Sequence, residues 1–159
     1  MNPSSRTAGR ARAALVTLVC TTGLLLAAAP AQADAASPDG VINGSCGPRI
    51  NVNDTINNHL RDRRATGGGG SIHLSYGYHL DYGTTYWARL TNAPRNSTVW
   101  LNWSADGGHE WHQCGPFRVD GSQGPHDRWT WGVNWVDGRK FQACARVPGY
   151  TYTCTPFEG

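Results

Sequence analysis

The 159-residue chain carries 14 Lys and Arg against 11 Asp and Glu, a formal net charge of +3. Arg6, Arg10 and Arg12 supply that whole surplus, because no acidic residue precedes Asp34. The remainder is formally neutral, so it has no bulk attraction to nucleic acid or anionic lipid.

Residues 1–33 have the order of an export signal: the three arginines, an apolar run from Ala13 to Ala29, then Ala31-Gln32-Ala33 as a small-x-small cleavage site before Asp34. The run is shorter than the roughly 20 residues that a transmembrane helix needs, so removal rather than stable membrane insertion is expected. Val19 is a poor match for the small residue that a lipidated Cys20 would require. The expected product is a secreted, extracellular protein with a flexible leader over residues 34–43 and one domain over residues 44–159.

The domain begins with a polar segment, Ile50 to Arg64. Ile56 and Leu60 lie four apart and Asp54 can cap a turn before them, which predicts a short helical or extended segment. The glycines at 67–70 end it. From Ser71 the apolar period becomes two. Ile72, Leu74 and Tyr76 alternate with polar neighbours; so do Tyr86, Ala88 and Leu90, then Val99, Leu101 and Trp103, then Trp129, Trp131, Val133 and Trp135. Short strands separated by Gly, Pro, Asn and Asp turns predict an all-β, disulfide-linked sandwich or small barrel.

Two hairpin registers follow. A turn at Ala93-Pro94 would set Trp87 opposite Trp100 and Ala88 by Val99. A turn at Gly149 sets Cys144 opposite Cys154, close to disulfide reach. An even set of four cysteines after the signal, with no C-x2-C pair, points to two disulfides rather than to a zinc site. Pairing Cys144 with Cys154 leaves Cys46 to pair with Cys114.

The strand Ile72-His73-Leu74-Ser75-Tyr76, with Thr84-Thr85-Tyr86-Trp87-Ala88-Arg89-Leu90 and the closing Ala143-Cys144 … Cys154-Thr155, resembles the small secreted actinobacterial YjfA-like domains of unknown function. The resemblance covers about half of residues 34–159 and implies a secreted β-domain. Gly83 stands where those domains carry a cysteine, and the turn before it is longer.

The residues do not spell out a catalytic set. His109-Glu110-Trp111-His112 has metal-like spacing, but it lies between turn residues, and residues three apart on a strand point to opposite faces. Pro125-His126-Asp127 sits in a Gly-rich turn, and no G-x-S-x-G elbow is present. No cofactor or metal is expected. Alternation puts Trp103, Trp129, Trp131 and Trp135 in the core. It puts Trp87, Trp100, Arg89, His73 and Asn102 on the solvated faces, as a candidate binding patch unless the opposite layer or the segment held by Cys46 covers it. The expected function is a non-catalytic binding module: an adaptor or inhibitor engaging another exported protein, for example in a secreted antibacterial toxin complex. The alternatives are a carbohydrate or cell-wall polysaccharide binding module, with Trp87 and Trp100 as stacking platforms, and a small secreted hydrolase using His109, Glu110 or His112.

Overall fold

A computed structural model describes residues 42–43 and 45–159. The export signal expected at 1–33 and the first eight residues of the expected leader lie outside the described residues. The leader's last two residues, Ile42–Asn43, form strand β1.

The remaining strands are β2 (Ile56–Ala65), β3 (Ser71–His79), β4 (Gly83–Thr91), β5 (Thr98–Ser104), β6 (His112–Arg118), β7 (Arg128–Trp129), β8 (Val133–Asn134), β9 (Lys140–Arg146) and β10 (Thr153–Cys154). They form two sheets. One has the order β1-β6-β5-β9-β10, with β1 parallel to β6 and the other pairs antiparallel. The other runs β2-β3-β4-β7, with β8 also on β4, all antiparallel. The expected all-β fold with two disulfides is therefore what forms.

The period-two alternation has its usual cause: successive side chains point to opposite faces of a strand. Ile72, Leu74, Ala88, Leu90 and Val133 point inward from one sheet; Val99, Leu101, Trp103, Phe141, Ala143 and Ala145 point inward from the other. Tyr86 stacks on Phe141 across the layers, ring centroids 4.4 Å apart. Two such faces buried against each other supply most of the folding drive, at about 25 cal/mol per Å² of apolar area.

The structure sharpens or changes three of the sequence expectations. Of the helical and extended alternatives for the segment with Ile56 and Leu60 the extended one forms: both belong to a strand and both are exposed. The helical content of this segment is a single 3-10 turn at Val52–Asp54, capped by the Asn51 side chain. Strand β2 zips onto β3 from Ala65↔Ser71 to Ile56↔Tyr78, with two irregularities in register. An Asn/Asp-rich run has little helix propensity to resist that pairing. Among the linking glycines Gly67 is required by packing: a Cβ there would overlap the Tyr150 ring.

The second change concerns β4 and β5, which are not a hairpin. β4 pairs with β3, β7 and β8, whereas β5 pairs with β6 and β9. The link Asn92–Ser97 crosses from one sheet to the other, so Trp87 lies opposite Ser75 and Trp100 opposite Cys144. The third change is in the Trp129–Trp135 run. It breaks at Thr130–Gly132 because Gly132 bridges to Ile50 instead, and Trp131 and Trp135 are each 41% exposed rather than core. Trp103 is core as expected.

The hairpin register at Gly149 holds: Cys154 pairs with Cys144, and disulfides join Cys144–Cys154 and Cys46–Cys114. Two disulfides indicate an oxidising setting. Among the described residues no helix is long and apolar enough to cross a membrane.

Candidate binding groove

The outer face of the β2-β3-β4-β7 sheet is built by register. His73 lies opposite Arg89, Ser75 opposite Trp87, and Arg89 opposite Trp129. Three of the five residues expected to form a patch, His73, Trp87 and Arg89, are thus neighbours here. The other two, Trp100 and Asn102, sit on β5 in the opposite sheet, beside Cys144 and Gln142. The crossover at Asn92–Ser97 separates the two groups, so they cannot form one patch.

Trp87 is not exposed either; it retains 6% of its surface. Val52 and Asn53, from the 3-10 turn, line a cavity with it. Cys46 is tied to Cys114, and the backbone carbonyl of Ser45 accepts a hydrogen bond from Trp103 Nε1 at 3.2 Å. Ile50 and Gly132 exchange backbone hydrogen bonds of 3.2 and 2.8 Å. Gly132 permits this approach, because a Cβ there would overlap the Thr85 side chain. The polar outer face is therefore walled by its own N-terminal segment.

Between wall and sheet lie two adjoining cavities. The larger, about 240 Å³, is lined by Asn51, Val52, Asn53, Phe117, Gln123, Arg128, Trp129, Thr130 and Trp131. The smaller, about 140 Å³, is lined by Val52, Asn53, Asn58, Trp87, Arg89 and Trp129. Val52, Asn53 and Trp129 line both, so Trp129 stands at the centre of one groove. Together the cavities reach the lower end of the size of ligand clefts.

The charges in the groove are paired. Arg89 lies over the Trp129 ring at 5.6 Å and reaches Asp127 Oδ2 at 3.0 Å. Arg128 lies over Phe117 at 5.7 Å and bonds Ser122 Oγ and, at 3.2 Å, Asp120. Hydrogen bonds from the Ser122 hydroxyl and amide hold the Asp120 carboxyl below its ordinary range. His73 is pushed below the usual histidine range, first by burial and then by Arg89 and Arg63. It stays neutral near pH 7.

On the opposite sheet, Trp100 is half-buried with Tyr152 at 6.4 Å, and Asn102 donates to Gln142 Oε1 at 3.2 Å and is 6% exposed. His109 and Glu110 lie in the β5–β6 loop, where their backbone amides bond Asp106 Oδ1 at 3.0 and 2.9 Å. His112 stacks on Trp103 at 4.3 Å.

The sequence reading missed Asn51, Asn53, Asn58, Phe117, Gln123, Arg128, Trp129 and Trp131 as groove residues. One signal was present. Gly132 interrupts an otherwise regular alternation, and an interior glycine marks a bulge or a close backbone approach. Comparisons with protein-family models, curated proteins and solved structures find no match to this chain.

Proposed function

We propose that residues 44–159 are a secreted, non-catalytic binding module that takes an extracellular glycan in the groove over Trp129. The observation that carries this reading is the pair of adjoining cavities sharing Trp129, lined by indoles and side-chain amides. An indole offers a flat apolar face to the C–H side of a pyranose ring, while amides carry the donors and acceptors that hydroxyls need. The Cys46–Cys114 disulfide fixes the wall before the ligand arrives, which lowers the ordering cost of binding. The export signal expected at residues 1–33 and the two disulfides fit an extracellular place of work.

The test is retention on insoluble cell-wall polysaccharide. Wild type is expected to be retained and Trp129→Ala to flow through, with an unchanged circular dichroism spectrum. Equal retention of the two would remove the groove from the account.

One observation favours a protein partner as a second reading, in the adaptor or inhibitor sense. The β3–β4 turn carries Leu80, 81% exposed, between the exposed Tyr78 and Tyr82, and Trp135 is held beside it by a backbone bond to Thr84. Exposed Tyr, Trp and Leu in one place suit a docking knob. In the same fractions, a stable protein complex lost by Leu80→Asp and kept by Trp129→Ala would favour this reading over the glycan.

A further inference from the structure

The groove has a pronounced bias in its hydrogen-bonding groups, which narrows the ligand if the glycan reading holds. Two of its amides have their oxygens already engaged within the protein. Asn51 Oδ1 accepts from the Asn53 backbone N–H at 3.2 Å and Gln123 Oε1 from the Trp129 N–H at 2.7 Å. Each amide is thereby turned so that its NH2 group is the end left to bond something else. These two amides therefore ask for acceptors.

An acceptor-rich ligand can be a carboxylated or sulfated sugar, or a neutral one. The arginines discriminate between them. Arg89 is bonded to Asp127, whose second oxygen is fixed at 3.2 Å by the Asn92 backbone N–H. Arg128 is bonded to Asp120, which is itself held by Ser122 N at 2.9 Å and Ser122 Oγ at 2.7 Å. An anionic sugar reaching either guanidinium meets an ordered carboxylate already in place. It must displace that carboxylate or share the cation with it, and like charges oppose both. Neutral acceptors carry no such penalty. Among them the amide carbonyl is a stronger acceptor than a hydroxyl or a ring oxygen, and it occurs on sugars as the acetamido group.

We propose that the groove binds an uncharged glycan of N-acetylated amino sugars, with sugar rings against Trp129 and acetamido carbonyls taken by the NH2 groups of Asn51 and Gln123. This rests on the glycan reading of the same groove and adds the class of sugar. The orientation of these two amides is set by backbone N–H donors, so it exists before any ligand arrives.

The experiment is a calorimetric titration of the protein with four probes of matched length: an N-acetylglucosamine trimer, cellotriose, a trigalacturonate and a glucosamine trimer. The N-acetylglucosamine trimer is expected to bind at least tenfold more tightly than any of the others, with little dependence on salt. Gln123→Glu keeps the acceptor for Trp129 N–H but removes the NH2 donor. It is expected to weaken the acetylated trimer about tenfold, the scale of one hydrogen bond, and to leave cellotriose unchanged. Equal binding of cellotriose and the acetylated trimer would overturn the acetamido assignment while keeping the glycan reading. Preference for trigalacturonate, weakening with salt, would overturn the charge argument. Binding of none of the four, together with no retention on polysaccharide, would end the glycan reading itself.

Discussion

The two outer faces of the sandwich look alike in sequence and differ in structure. Each carries a tryptophan among polar residues on a central strand: Trp87 with Arg89 on β4, Trp100 with Asn102 on β5. Beside Trp87 the chain brings back the turn carrying Val52 and Asn53, which follows a disulfide of sequence separation 68 at Cys46. At Trp100 the neighbour is a local hairpin closed by a disulfide of sequence separation 10. The long-range clamp leaves a walled groove, and the short one reinforces a strand pair. Concavity here comes from a distant segment brought back over a sheet, not from the strand that carries the most suggestive residues.

The largest expected effect separates the two clamps. In the loop-entropy account, replacing Cys46 and Cys114 together by Ala costs about 4 kcal/mol, and replacing Cys144 and Cys154 costs about 3 kcal/mol. Urea denaturation of the two double variants checks the order. The sharper contrast is functional: the first variant is expected to lose retention on polysaccharide even where it is fully folded, and the second to keep it. Loss in both, or in neither, would mean that the wall does not make the groove.

Next in size is the contrast between the two tryptophans. Trp87→Ala opens a cavity beside the turn carrying Val52 and Asn53 and is expected to cost about 3 kcal/mol or more. Trp100→Ala removes a half-buried ring beside Tyr152 and is expected to cost about 1 kcal/mol, since that site relaxes toward solvent. Equal costs would show that the two outer faces are equally covered.

The smallest effect is a pH dependence on the opposite sheet. Asp106 accepts hydrogen bonds from the Glu110 and His109 amides and from Ser104, which lower its carboxyl from 3.8 to about 2. A carboxyl depressed in the folded state stabilises it above the unfolded value, and that contribution disappears as pH falls through the folded value. The β5–β6 loop is therefore expected to keep its structure through pH 4 and to loosen between pH 3.8 and about 2. The His109 and Glu110 amide resonances report this directly, while groove resonances should not follow the same midpoint.

Local rules made much of the fold legible. Ile72, Leu74 and Leu90 alternate strictly because one side of each strand faces the core, and Gly149 sets a register that brings Cys144 onto Cys154. What failed was non-local. Asn92-Ala93-Pro94 has the chemistry of a hairpin turn, but a crossover between layers uses the same residues, and only the pairing of β5 with β9 distinguishes them. Ile56 and Leu60 have helical spacing, but β3 offers a row of backbone partners that the isolated segment does not show. Of the groove, only Trp87 and Arg89 were legible as candidate binding residues; alternation assigns Trp129 to the core, and the Asn-rich run at 51–58 carries no site signal of its own. The walls of the groove are joined by the bridge of Ile50 to Gly132, far apart in sequence.

The most direct measurement is a titration of the seven indole N–H resonances with the N-acetylglucosamine trimer, assigned by single Trp→Phe variants. The account predicts that the Trp129 and Trp131 signals move with a common saturation curve while that of Trp100 stays in place. Movement of the Trp100 signal, with Trp129 and Trp131 unmoved, would contradict it.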